Sequence, residues 1–230
     1  MKIAIVTGAS SGIGKAVEDK LKEQGYNVFG LSRRGPEILC DVTDTQALES
    51  AIKKILKTHD IDLLINCAGV GIFQPHEELS LQKIEAVIDT NLKAPIILAN
   101  LCLRSLKKTH GHIINIASIE ATKHSKFSAL YSATKAGLRS FSLCLFEELR
   151  NAKVRVTNIN PDLTQTPFFD TLAFEPTKQE HTTIDPGDLA TQIVEIIHAP
   201  YVVTDITIRP QKFAIIKKPQ PSKNINNALT

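Results

Sequence analysis

Hydrophobic positions along this chain follow two alternating rhythms. Short runs of β-branched and apolar residues alternate with longer stretches whose apolar positions recur three and four residues apart. The first pattern predicts buried strands and the second amphipathic helices. Strands are expected over 2–7, 27–32, 37–40, 61–66, 112–117, 154–159 and 202–208. Helices are expected over 13–24, 45–58, 81–108 with a break near Asn91, 128–151 and 186–198. Asp44 and Ser80 stand where helix N-caps are favoured, and Pro186 follows Asp185 at a first-turn position. Regular βα alternation predicts an α/β, doubly wound, mostly parallel seven-stranded sheet with helices on both faces.

No internal repeat or linker marks a second domain, so residues 1–210 are expected to form a single one. The longest irregular region, 161–186, contains Pro167, Pro176, Phe168, Phe169 and Phe174. A loop of that length is commonly a lid over a binding site, with a plain packed surface loop as the alternative. From Gln211 the chain mixes Lys, Pro and Asn and loses periodicity after IIKK, so 211–230 reads as a partly disordered tail.

Composition narrows the function classes. Hydrophobic residues make up 43% and charged residues 22%, which disfavours disorder and fibrous architecture. The formal charge is only +3 and no basic block stands out, so nucleic acid is not expected as a partner. No uninterrupted apolar stretch approaches bilayer-spanning length, and the early run IAIV is too short for a signal peptide, so no membrane partner and a cytoplasmic location are expected. Cys40, Cys67, Cys102 and Cys144 are far apart, without a CxxC pair or a histidine cluster. They read as buried reduced thiols, and no metal site is expected.

After the first strand comes TGASSGIGKA, with Gly8, Gly12 and Gly14 between a strand and a helix. Glycines there let backbone approach a ligand, and the helix N-terminus attracts a pyrophosphate. The spacing is neither GxGxxG, the usual Rossmann fingerprint, nor a P-loop, because Ala16 follows Gly14 and Lys15. At the end of the second strand, where an acidic residue would hold the ribose of NAD, stand Ser32, Arg33 and Arg34. A guanidinium forks onto phosphate oxygens, so Arg33 and Arg34 predict NADP(H); two solvated turn arginines are the alternative.

Tyr131 and Lys135 in YSATK share one helix face, and Ser118 ends the apolar run HIINIAS. An unperturbed phenol titrates near ~10, and a neighbouring cation lowers that value. The group therefore reads as a proton-transfer device, against the alternative of a surface lysine stem packed on a ring.

Taken together, these segments resemble the short-chain dehydrogenase/reductase family from Lys2 to about Arg209. TGASSGIG is similar to its TGxxxGxG turn, CDVT to its adenine-contacting Asp segment, and NCAG to its NNAG element. DTNL, INIAS and YSATK resemble the segments that carry its Asn-Ser-Tyr-Lys tetrad, here Asn91, Ser118, Tyr131 and Lys135. The resemblance implies that Tyr131 is the general acid and that Ser118 polarises the substrate oxygen. It also implies that Lys135 holds the nicotinamide ribose and lowers the Tyr131 pKa, while Asn91 bends its helix and places a water linking Lys135 to solvent. The cofactor contacts it implies are Gly8, Ser10, Ser11, Gly12, Ile13, Gly14, Ser32, Arg33, Arg34, Asp41, Val42, Asn66, Ala68, Gly69, Tyr131, Lys135, Pro161, Thr164 and Thr166.

The segment PDLTQT departs from the family's PGxxxT by placing Asp162 where glycine is usual. Either Asp162 substitutes for glycine in a left-handed conformation, the preferred reading, or it contacts substrate. ITIRPQ resembles the branch that reduces short 3-oxo acids and assorted carbonyls. Glu120 and His124 are expected either to select a polar substrate or to be solvated loop residues. Ile96, Ile97, Leu98, Leu101 and Leu103, with Leu138, Phe141, Leu143, Leu145 and Phe146, leave apolar helix surface to cover. The resemblance implies a homodimer or homotetramer covering it. The expected function is NADP-dependent interconversion of a carbonyl and a secondary alcohol; a non-catalytic NADP-binding sensor or scaffold is the main alternative, and racemase or dehydratase chemistry a third.

Overall fold

The run IAIVT is buried along its whole length and forms the central strand β1 (Ile3–Thr7). The computed structural model describes residues 1–35 and 38–218. Around β1 lie β2 (Asn27–Ser32), β3 (Ile38–Leu39), β4 (Leu63–Asn66), β5 (His112–Ile116), β6 (Arg155–Pro161), a short β7 (Phe174–Pro176), β8 (Asp205–Ile208) and β9 (Ile215–Lys217). Seven of them form one sheet in the order β3-β2-β1-β4-β5-β6-β8, and every pairing in it is parallel.

Side-chain alternation sorts the core into two layers. Ile5, Leu64 and Ile113 face one side, against α2 (Thr45–Leu56), α4 (Ala94–Thr109) and α5 (Ala129–Leu149). Ala4, Val6, Leu63, Ile65 and Ile114 face the other, against α1 (Gly12–Glu23) and α6 (Pro186–His198). Both faces must be apolar when helices cover both, which explains the near-continuous hydrophobic strands. The doubly wound fold expected from the sequence is the one observed.

Asp44 and Ser80 cap their helices: the Asp44 carboxylate accepts from the Gln46 and Ala47 amides, and the Ser80 hydroxyl from the Lys83 amide. The expected break near Asn91 is one turn of π-helix, Asp89–Lys93, joining α3 (Leu81–Ile88) to α4. The whole stretch Leu81–Thr109 is long and apolar enough, by length and composition, to cross a membrane. It lies instead along the sheet, with 44% of its apolar window buried.

Three differences from the sequence reading have physical causes. The strand expected over 202–208 is confined to Asp205–Ile208, because only those residues pair with β6. The strand expected over 37–40 is reduced to two residues by its short pairing with β2, and its first position, Glu37, lies outside the described residues. Residues 211–218, expected to begin a partly disordered tail, fold back so that β9 pairs antiparallel with β7 inside the long loop. The rest of that tail lies outside the described residues.

At the N-terminus of α1, a Cβ on Gly14 would stand 2.3 Å from the Gly8 carbonyl oxygen. Backbone cannot yield there as a flexible side chain would. Gly14→Ala is therefore expected to destabilise by about 1–3 kcal/mol, the usual cost of overpacking, lowering Tm by roughly 2–12 °C. Thermal unfolding without nucleotide measures this, and an unchanged Tm would contradict the packing.

Candidate active site

The strand order reverses between β1 and β4, so the loops leaving their C-terminal ends part there and open a crevice. Gly8 follows β1 with φ 70°, and a Cβ on it would stand 2.9 Å from the Ala68 backbone. Thr7 holds the two loops together: its hydroxyl accepts from the Cys67 and Ala68 amides, both at 3.0 Å. Gly12, with φ 55°, lies under Thr166, whose Cβ is 3.1 Å from where a Gly12 Cβ would be. Ser11 is the α1 N-cap but makes no side-chain cap, which leaves the first-turn amides to another acceptor. This glycine cradle at a helix N-terminus suits a dinucleotide pyrophosphate.

Beyond the crevice, Ser118 follows β5 and starts the 3-10 turn Ile119–Ala121, where its hydroxyl accepts from the Glu120 amide at 3.2 Å. Tyr131 and Lys135 lie one turn apart on the buried face of α5. Lys135 Nζ donates to the Ile116 carbonyl at 2.9 Å and stands 6.0 Å from the centre of the Tyr131 ring. Asn91 is fully buried in the π turn: its Oδ1 accepts from the Val70 amide, and its Nδ2 donates to the Val70 carbonyl and the Thr134 hydroxyl. It thereby ties the loop after β4 to α5. A Cβ on Gly69 would stand 3.4 Å from Lys135 Nζ and 3.5 Å from Asn91 Oδ1, so glycine keeps that approach clear.

Burial dominates the electrostatics. It pushes the Tyr131 phenol up to about 12; the Ser118 hydroxyl pulls the other way and Glu120 adds to the rise. Burial, rather than the Lys135 charge expected from the sequence, governs this phenol. The Lys135 ammonium is itself brought down to about 8 by burial, opposed by the Cys67 thiol.

A sequence model of the short chain dehydrogenase family matches residues 2–176. The chain belongs to this family. An uncharacterized oxidoreductase of Staphylococcus saprophyticus is 34% identical over 231 residues, covering 91% of this chain and 97% of its own length. Among solved structures, an alcohol dehydrogenase from the archaeon Thermococcus sibiricus, complexed with 5-hydroxy-NADP, superposes with TM-score 0.82 at 25% identity, over 92% of this chain and 97% of that one. A metagenomic short-chain oxidoreductase in complex with NADP superposes with TM-score 0.78 at 28% identity, over 92% and 98%. The chain is thus an oxidoreductase of the short-chain dehydrogenase type.

In this dehydrogenase, Ser10 and Ser11 are exposed on the cradle and Ile13 is half-buried beside them. Arg33 and Arg34 are exposed just past β2, where the Ser32 hydroxyl donates to the Arg34 carbonyl at 2.5 Å. The Asp41 carboxyl is held below its ordinary range chiefly by the Thr43 amide and hydroxyl, with help from the Arg33 charge. Val42 and Pro161 are buried, and Thr164 donates its hydroxyl to the Asp162 carbonyl. The Asn66 side chain turns into the sheet and donates to Asn115 at 2.7 Å, so it offers its backbone rather than its amide group to the crevice.

Asp162 corrects the preferred sequence reading. Among the described residues, the non-glycine positive φ angles belong to His110, Phe127, Lys153 and His181, not to Asp162. Its side chain is instead turned inward: Oδ1 accepts from the Leu163 amide at 2.9 Å and Oδ2 from Arg209 Nε at 2.8 Å. Arg209, just past β8, thus pairs with the buried carboxylate at this position. Glu120 is likewise tied up, by Ser125, Ser132 and Lys123, whereas His124 is exposed.

The thiols also depart from expectation in one place: Cys40 and Cys102 are buried and Cys67 half-buried, but Cys144 is exposed on α5. Residues that sequence reasoning did not single out include Thr7, Arg209 and Phe73, the last of which packs on Tyr131 at 5.4 Å between ring centres. Thr7, next to the first cradle glycine, carried a local signal; Phe73 carried none.

Proposed function

We propose that this dehydrogenase interconverts a carbonyl and a secondary alcohol with NADP(H) and uses Tyr131 as the acid and base. The observation that carries this reading is the convergence of Ser118, Tyr131 and Lys135 at the C-terminal end of β5, beside the glycine cradle. Bound NADP(H) supplies or accepts the hydride at the substrate carbon. In reduction the Tyr131 hydroxyl gives its proton to the carbonyl oxygen, which Ser118 holds by a hydrogen bond. Lys135, charged at neutral pH, faces the cradle through Gly69 and offers donors to a ribose and positive charge to the nascent phenolate. Asn91 braces the loop that keeps this path open, and Thr166 covers the cradle at Gly12. The NADP preference rests on Arg33 and Arg34 at the end of β2, where no acidic residue opposes a 2′-phosphate.

The complete group of acid, polarising hydroxyl and buried lysine argues against a sensor that binds nucleotide without turnover. We place the enzyme in the cytoplasm, since free thiols suit a reducing compartment. It acts as a homodimer or homotetramer through α4 and α5, on which Ile96 stays 38% exposed while Leu98, Leu138 and Leu145 are buried in the core. The experiment is NADPH oxidation against aldehydes, 3-oxo esters and diketones, with NADH in parallel and the mass in solution measured on the same preparation. Turnover favouring NADPH and a mass of two or four chains are expected. NADPH binding without turnover on any carbonyl would move the reading to a sensor.

A further inference from the structure

The Tyr131 ring is one member of a closed circuit of five aromatic rings. Tyr131 meets Phe73 at 5.4 Å, Phe73 meets Phe174 at 5.0 Å, Phe174 meets Phe169 at 6.0 Å, Phe169 meets Phe168 at 5.4 Å, and Phe168 returns to Tyr131 at 5.9 Å. The rings come from the loop after β4, from α5, and from the loop after β6. Three of the five contacts are edge-on, the favoured geometry for aromatic pairs.

This wall is braced from behind by the chain beyond β8. β9 pairs with β7, which carries Phe174, and Lys218 Nζ donates to the Phe169 carbonyl at 2.6 Å. The Lys218 amide donates to the Ala173 carbonyl at 2.8 Å, so the aromatic segment is anchored at both its start and its end. Phe168 also packs directly on Gly71, where a Cβ would stand 2.3 Å from its ring.

The two carboxylates that the sequence placed near the substrate are neutralised by basic neighbours. Lys123 is paired with Glu120 and Arg209 with Asp162. A substrate carboxylate beside Tyr131 would lose water while Lys123 and Arg209 already hold carboxylates and Lys135 donates to the Ile116 carbonyl and faces the cradle, an unfavourable exchange. Because Tyr131 is only 5% exposed, a substrate group placed against its ring must take over contacts that Phe73 and Phe168 make with it. A flat apolar group restores the ring contacts that it breaks.

We infer that the substrate is an aldehyde or ketone bearing an aryl or similarly flat apolar group next to the carbonyl, held within the Phe73–Phe168–Phe174 wall, rather than a short 3-oxo acid. This rests on the reading of Tyr131 as the acid and base. The test compares 1-phenyl-1,2-propanedione with 2,3-butanedione, which differ by phenyl for methyl, as substrates for NADPH oxidation by the full chain. A kcat/KM at least about tenfold higher for the phenyl compound is expected, because an aromatic contact adds to the burial of the ring's area. Phe73→Ala and Phe174→Ala should each shrink that ratio threefold or more; Phe73→Leu, which keeps apolar volume, guards against misfolding and should shrink it too. A ratio near one in the native protein, or one that none of these variants moves, overturns the inference. If neither these diones nor any other carbonyl of the panel turns over, the Tyr131 reading fails on its own. The aryl preference is then decided by binding, as a larger Tm shift of the NADP-loaded protein by 1-phenylethanol than by 2-butanol; equal shifts overturn it.

Discussion

Tyr131→Phe is expected to lower kcat for carbonyl reduction by about 10²–10⁴-fold, the usual contribution of a positioned general acid, with NADPH binding retained. The substitution removes one oxygen from a ring packed between Phe73 and Phe168, so the aromatic contacts survive. Stopped reduction with intact nucleotide binding, measured by equilibrium titration, separates lost chemistry from lost structure. A rate within threefold of the native protein would show that another group delivers the proton.

The same residue sets a pH signature. With its phenol at about 12, Tyr131 is protonated throughout the neutral range, the state that the proposed reduction needs. Alcohol oxidation needs the phenolate, so its kcat/KM should climb with pH through the neutral and alkaline range. Lys135 bends that climb: its charge, which favours the phenolate, fades as pH rises through about 8. Stability carries the opposite imprint of each group. Between about 8 and the ordinary lysine value of 10.5 the unfolded chain holds the Lys135 proton more tightly, so stability from this group rises with pH. Between 10.0 and about 12 the folded chain holds the Tyr131 proton more tightly, so stability from that group falls.

Arg33→Glu should reverse the nucleotide preference. A charge-assisted hydrogen bond contributes about 1.5–3 kcal/mol, so losing it should lower kcat/KM for NADPH roughly 10–100-fold, with repulsion of the 2′-phosphate adding to the loss. NADH should be little affected or improved, because a carboxylate at that position accepts from ribose hydroxyls. Arg33 also supports the charged form of the Asp41 carboxyl, so Arg33→Ala, which introduces no new charge, is the control for local rearrangement. An NADPH to NADH ratio that both substitutions leave in place would make Arg33 an ordinary solvated turn residue.

Much of this molecule is legible along the chain, because its signals are local. A buried strand needs a run of apolar residues, so β1, β4 and β5 announce themselves, and the two-sided burial of the sheet follows from their lack of polar alternation. Caps act within one turn, so Asp44 and Ser80 could be read directly. The Tyr131 and Lys135 pair is legible because residues four apart share a helix face, and the glycine turn because it joins a strand to a helix.

What escaped the sequence reading depends on pairs far apart in the chain. Asp162 was read as a backbone substitute for glycine because its real partner, Arg209, lies 47 residues away. β9 was read as tail because a three-residue strand carries no periodicity, and it exists only where β7 offers an edge. The Tyr131 pKa was expected to answer to Lys135, one turn away, but desolvation by packing from distant segments outweighs it. The sequence alone therefore determined the doubly wound sheet, the glycine turn at the head of α1 and the juxtaposition of Tyr131 with Lys135, since each is written in residues within a turn or a strand of one another. Only the tertiary structure decided what surrounds that pair. Burial, the aromatic circuit and the pairing of Asp162 with Arg209 arise when loops distant in sequence are brought against the same ends of the parallel strands.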